Sequence, residues 1–302
     1  MFRKTLLPAL GLLAALSFAA PLQAVPVTDR HAAAVALVDS LHPLTGTVAL
    51  PSAQATLKLT DVYSFLPAKD AQRVVTQLWG NPPDDTVLGM ILPGSDPHSL
   101  LNGHRWAVVV TFVDEGHVSD GDAAKVDYDD MLKDLKQATK DSNDERLKDG
   151  YPAIELMGWA EPPHYDAASH KLYWARDLKF TRADGADAGH TLNYAIRVLG
   201  RKGYLSLNAV APIGALSQVR ADMPQVVALA EFDPGERYAD YQPGRDKLAA
   251  YGIAALVAGG IAAKAGLFAK LGVILLALKK FIVLGVAAIG GAISRLFKRK
   301  QA

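Results

Sequence analysis

Every acidic residue of this chain lies between Asp29 and Asp246, and the C-terminal remainder is almost wholly apolar with only basic charges. Residues 248–302 hold eight lysines and arginines and no acid, while residues 1–24 hold only Arg3 and Lys4. The stretch between, 25–247, carries 22 basic against 31 acidic side chains, a net of −9 concealed by an overall charge of +1. An acidic body of this size is repelled by phosphate backbones, so a general nucleic-acid binder is excluded. The chain contains no cysteine. That removes disulfide scaffolds, thiolate zinc sites, cysteine nucleophiles and a lipoprotein anchor. Half of the residues are hydrophobic, enough to build a core and too many for disorder.

The N-terminus has the three parts of a secretory signal. Arg3 and Lys4 precede an apolar run over 6–20, and Leu22-Gln23-Ala24 offers a cleavage site. The spacing predicts a signal peptide over 1–24 and export of the chain from residue 25 onward, as in a bacterial periplasm. At the other end the uninterrupted apolar runs are 248–263 and 281–294, each shorter than the roughly 20 residues a spanning helix needs. A span over 248–267 has only Lys264 to accommodate, near its end, where the ammonium can snorkel. A span centred on Lys279 and Lys280 would hold two charges near the midplane, at about 2.5–3.5 kcal/mol each. The first arrangement leaves the basic cluster 295–300 on the cytoplasmic side, as the positive-inside rule requires.

The expected architecture is therefore a periplasmic body over 25–232, a Pro- and Gly-containing linker over 233–247, and an inner-membrane helix over 248–267. A basic, apolar tail over 268–302 would lie on the cytoplasmic leaflet or form a second membrane helix. The partners this implies are the lipid bilayer and an envelope protein or peptide. Gly252, Gly259, Gly260 and Gly266 would permit self-association through the membrane helix.

Within the body, β-rich runs occur at 46–50, 55–59, 87–92, 106–113, 153–159, 171–180, 192–199 and 204–211. Helical patterning occurs at 68–78, 127–139 and 213–232, the last interrupted near Pro224. Consecutive strands are joined by short turns such as Gly200-Arg201-Lys202-Gly203. This predicts an α+β fold, mainly an antiparallel sheet with covering helices. The polar stretch 140–150 reads as a surface loop within one domain.

No nucleophile elbow, phosphate loop, zinc-protease helix or dinucleotide fingerprint is present, and no motif implies a cofactor. The acidic run Asp114, Glu115, Asp120, Asp122, Asp127, Asp129 and Asp130 has oxygen ligands for calcium, but not the EF-hand spacing. A turn followed by a helix start accounts for it more simply. Two aromatic segments each carry a proline pair, Trp79-Gly80-Asn81-Pro82-Pro83 and Trp159-Ala160-Glu161-Pro162-Pro163-His164-Tyr165. Each pair is expected to stop a helix or ladder and force an extended loop. With His170, Tyr173 and Trp174 nearby in sequence, these loops would assemble a ligand-binding surface from Trp79, Asn81, Trp159, His164, Tyr165, His170, Tyr173 and Trp174. The plainer alternative has the tryptophans capping the core and the prolines stiffening turns. His164 and His170 with nearby carboxylates could also serve as an acid–base or metal-binding pair. Arg197, inside an apolar strand, reads as a buried ion pair or an anion-binding guanidinium.

The segments 79–83 (WGNPP), 158–165 (GWAEPPHY), 170–174 (HKLYW), 192–200 (LNYAIRVLG) and 236–241 (ERYADY) resemble, in order and spacing, a family of bacterial membrane-anchored proteins. That family is known as domain of unknown function 2167. The resemblance extends over residues 30–260 and implies a periplasmic domain tethered near its C-terminus. It supplies no catalytic residue, substrate or cofactor. The leading expectation is a non-catalytic, membrane-tethered envelope module that binds a peptide, lipid or partner protein. The rivals are an envelope hydrolase or metal-dependent enzyme using His164 and His170, and an assembly factor acting through its membrane segment.

Overall fold

Alternation of apolar with polar side chains, the signature of strands with two different faces, governs the centre of the molecule. A computed structural model describes residues 27–258, apart from 102–104 and 183. The expected signal peptide, the second part of the expected membrane segment (259–267) and all of the expected tail (268–302) lie outside the described residues. The strands, in chain order, are β1 (Thr47–Leu50), β2 (Ala55–Lys58), β3 (Tyr63–Pro67), β4 (Val87–Pro93), β5 (Ala107–Val113) and β6 (His117–Ser119). They continue with β7 (Ala153–Asp166), β8 (Lys171–Thr181), β9 (Asp187–Leu199), β10 (Tyr204–Pro212), β11 (Ala230–Phe232) and β12 (Leu248–Gly252). The helices are α1 (Val27–Asp39), α2 (Ala68–Arg73), α3 (Tyr128–Asp141), α4 (Asn143–Lys148), α5 (Leu216–Leu229) and α6 (Ile253–Ala258).

A seven-stranded sheet in the order β3-β4-β5-β10-β9-β8-β7 forms the body, and every neighbouring pair in it is antiparallel. The α+β expectation holds. One face of this sheet carries Phe65, Ile91, Val108, Val110, Ile196, Leu205 and Leu207, all buried beneath α5 and a small sheet of β1, β2 and β11. Trp106 ties the layers together by donating from Nε1 to Asp222 on α5 at 2.7 Å. Helix α5 runs through Pro224 without ending, because Pro224 is exposed and water can reach the carbonyl that its missing N–H leaves free.

Among the described residues the opposite face is covered only at its two ends. At one end Leu66, Met90, Leu92 and Ala107 pack under α1 and α2. At the other, Leu172, Trp174, Ala195, Leu199 and Tyr204 pack with Ile253, Leu256 and Val257 of α6 and with Tyr128 and Met131 of α3. Helix α3 begins at Asp127, whose carboxylate accepts from the amides of Asp129 and Asp130 at 3.0 Å.

Three expectations are corrected. The strand beginning at Ala153 does not stop before the proline pair, because β7 continues to Asp166. It is an edge strand, bulged around Glu161, so Pro162 and Pro163 need donate nothing to an inner ladder. The polar stretch after α3 forms the short helix α4 instead of an open loop. Finally, residues 248–252, the expected start of the membrane helix, are not helical. Leu248–Gly252 is a strand that pairs in parallel with β6, and Ile253–Ala258 is a helix buried in the body. Asp122 caps that helix, accepting from the amides of Ile253 at 2.9 Å and Ala254 at 3.3 Å. Among the described residues no helix is long and apolar enough to cross a membrane.

The expected linker is also held down. Arg201, in the β9–β10 turn, clasps Asp246 through Nε at 2.7 Å and Nη2 at 2.8 Å, and Lys202 reaches Glu236 at 2.8 Å. The glycines flanking this pair are there because of close packing. A Cβ on Gly203 would lie 1.9 Å from the Val113 carbonyl oxygen, and one on Gly200 would meet the Phe232 ring at 2.6 Å.

Candidate functional site

Between the two covered ends, the middle of the second sheet face stays open and floors a cavity of about 720 Å³. Its floor comes from alternate residues of adjacent strands: Thr191, Asn193, Ala195 and Arg197 on β9, and Ser206, Asn208 and Val210 on β10. One wall is the end of α2, which continues as a π-helical turn over Val74–Leu78. The wide turn lets Trp79 donate its amide to the Val74 carbonyl at 2.9 Å, and Gly80 then takes φ +69°. Asn81 donates back to Val75 at 3.0 Å before Pro82 turns the chain away. This local sequence therefore delivers Trp79, Asn81 and Pro82 to the cavity. The other wall is Trp174, Arg176 and Phe180 of β8.

Two guanidiniums dominate the chemistry. Arg197 lies over the Trp174 ring at 4.8 Å and near Tyr204 at 5.8 Å. Arg176 lies 5.9 Å from the Trp174 centroid and 5.8 Å from that of Trp159. Nη1 of Arg197 donates to the Ile196 carbonyl at 3.1 Å, and Nη2 of Arg176 to the Val257 carbonyl. The Nε of each is buried without a partner. Burial lowers both guanidiniums to about 10, which leaves them charged at neutral pH. Among the described residues neither forms an ion pair with a carboxylate. From Arg197 the hydroxyls of Tyr204 and Tyr251 lead to Glu115.

The expected site residues divide into three groups. Trp79, Asn81 and Trp174 line the cavity, and Trp159 stands behind it, touching Arg176 and donating from Nε1 to the Tyr128 carbonyl at 3.2 Å. Tyr165 and His170 lie on the same face but in a separate aromatic cluster. The Tyr165 hydroxyl donates to Asp120 at 2.8 Å and meets Nδ1 of His170 at 3.1 Å, and the His170 ring stacks on Tyr238 at 4.1 Å. Burial, with Asp120 beside it, raises the Tyr165 hydroxyl well above its ordinary range and pushes Tyr238 up to about 12. His164 and Tyr173 belong to the opposite face, stacked at 4.9 Å with Glu161 3.7 Å from His164. The two proline pairs therefore do not frame one cleft, and His164 and His170 are not one acid–base pair.

The acidic run is spent on structure: Asp120 on Tyr165, Asp122 on α6 and Asp127 on α3. Among the described residues no group of three or more His, Asp or Glu is placed to hold a metal ion. Reasoning from sequence missed Arg176, although its place two residues after Trp174 puts it on the cavity face by alternation. It also missed Ser206 and Asn208, the polar members of an otherwise apolar strand.

Fold and cavity together define an α+β module with an open, doubly cationic sheet face. By sequence the chain belongs to the family described as protein of unknown function DUF2167, whose model matches residues 42–290. A search of curated proteins returns no relative. Among solved structures, the solution structure of cyanobacterial PsbP (CyanoP) from Synechocystis sp. PCC 6803 is 11% identical, covering 62% of this chain and 91% of that one. Its TM-score of 0.34 is too low to bear on fold or function.

Proposed function

We propose that this protein is a non-catalytic binding module of the bacterial cell envelope, exported and held at the inner membrane by its C-terminal apolar segment. Its ligand, a lipid, peptide or segment of a partner protein, seats in the cavity above the seven-stranded sheet. The observation that carries the reading is the cavity itself, walled by Trp79 and Trp174 and floored by polar side chains on a sheet face that the helices leave open. Aromatic walls with a few convergent polar groups are the usual make-up of a ligand site. The tether rests on sequence: the signal pattern, the apolar run and the acid-free basic tail. With 248–252 a strand of the body, the tether falls to the apolar sequence that follows it.

Native mass spectrometry of the full-length protein released from membranes in mild detergent tests the ligand. The expected result is a bound species that is lost in Asn208→Trp, which fills the cavity floor, and kept in Leu147→Ala, a change at an exposed position. A bound species indifferent to Asn208→Trp in a protein of unchanged melting temperature would remove the cavity from the reading. Protease treatment of intact spheroplasts tests the tether. The basic cluster 295–300 is expected to be protected and the body cleaved.

A further inference from the structure

We infer that the cavity recognises a phosphate-class oxyanion, with Arg176 and Arg197 supplying the charge. This rests on the cavity being the ligand site. The two arginines sit on neighbouring strands and share Trp174 as a platform, so two like charges, 5.9 and 4.8 Å from one ring, are held in one cavity in partial burial. Such an arrangement opposes folding unless an anion answers it, because burial weakens hydration and like charges repel. Aromatic faces offset part of that cost. Among the described residues they leave most of the guanidinium N–H groups without acceptors, the partners being one carbonyl each and the Tyr204 hydroxyl.

Register adds neutral hydrogen-bonding groups beside each cation. Ser206 is directly opposite Arg197, and Asn193 is directly opposite Arg176. The single carboxylate on the lining, Asp84, is exposed and already accepts from Thr86. Two guanidinium forks exceed what one carboxylate can satisfy, whereas a phosphate presents several oxygens and up to two charges. The apolar walls, Val75 and Val109 among them, also suit a ligand whose phosphate is attached to hydrocarbon.

The test is calorimetric titration and thermal melting of the full-length protein with inorganic phosphate, acetate and short-chain phosphatidic acid at constant ionic strength. Phosphate or phosphatidic acid is expected to bind and raise the melting temperature, and acetate to do neither. Arg176→Lys and Arg197→Lys keep the charge and lose the fork, and each is expected to weaken binding by about tenfold or more. Arg182→Lys, whose arginine pairs with Asp184 and does not line the cavity, is expected to change nothing. Tighter binding of phosphatidic acid than of phosphate assigns the oxyanion to a lipid headgroup, and equal binding assigns it to a free phosphate or small ester. If neither ligand binds, or if binding ignores both lysine variants, the inference is overturned. In that event a co-purifying species still lost in Asn208→Trp leaves the binding-module reading intact.

Discussion

The two faces of the seven-stranded sheet are made by the same strands and have opposite fates. In β10, Leu205, Leu207, Ala209 and Ala211 point one way and are buried under α5 and the small sheet. Their alternates Ser206, Asn208 and Val210 point the other way, onto the floor of the cavity. In β9 the division is the same, with Leu192, Tyr194, Ile196 and Val198 against Thr191, Asn193 and Arg197. One face is a continuous core. The other is two separate patches of core with a polar gap between them. Among the described residues that gap is lined with cations and amides, and it is where the proposed ligand would seat.

The largest effect should come from deleting apolar volume on the covered face. Leu207 is fully buried, so Leu207→Ala should lower the unfolding free energy by about 2–5 kcal/mol. Its neighbour Asn208 is half-buried on the open face, so Asn208→Ala should stay within about 0.5 kcal/mol. Urea unfolding of the two variants side by side measures the contrast. Comparable losses would mean that the open face is also structural core.

Much of this contrast was legible in sequence. The runs at 192–199 and 204–211 fix the strands, and the short turns between strands fix their antiparallel pairing. Arg197 stood out as a charge in an apolar strand. Arg176 did not, because it lies in the strand 171–180, which already carries Lys171, Asp177 and Lys179, and only the folded structure brings both guanidiniums to the Trp174 ring. The proline pair at 162–163 misled because its effect depends on whether the strand is at an edge, a property of topology. Residues 248–258 misled for a related reason. Alanine, leucine and valine suit a protein core and a bilayer equally, and the choice was made by Asp122, more than a hundred residues earlier, which caps α6.

A smaller and more local effect separates the sheet core from the C-terminal segment 233–258. The Arg201 guanidinium holds the Asp246 carboxyl down to about 2. The stability this pair contributes is therefore present above the ordinary aspartate range near 3.9 and is lost as pH falls through about 2. Asp246→Asn removes it at neutral pH. Hydrogen exchange should then speed up across 233–258 while the sheet core, Leu205 and Leu207 included, keeps its protection. Equal acceleration in both would show that the segment and the core open together.

The smallest effect expected is a pH dependence at the same junction. His117 is buried between Tyr238, at 4.3 Å, and Tyr241, at 3.9 Å and nearly parallel, with its Nδ1 unpartnered. Burial lowers its pKa, helped by His170, against the opposing pull of the Gly200 carbonyl, Asp120 and Asp246. The unfolded chain therefore holds the proton at a higher pH than the folded one, and stability falls as pH drops below about 6.5. His98 works in the other direction. Bonded to Asp96 and Asp39, its pKa is raised, so its contribution is complete below about 6.5 and is lost as pH climbs. The two slopes oppose each other in the whole protein, and only a difference measurement isolates either. His117→Phe keeps the stack and removes the proton. Relative to the parent it should gain stability between pH 6.5 and 5 and show no change in slope above pH 7. A parent and variant whose curves stay parallel across that window would mean that His117 is hydrated in the folded state, and the packing of 238–241 against β6 would then be looser than its ring distances indicate.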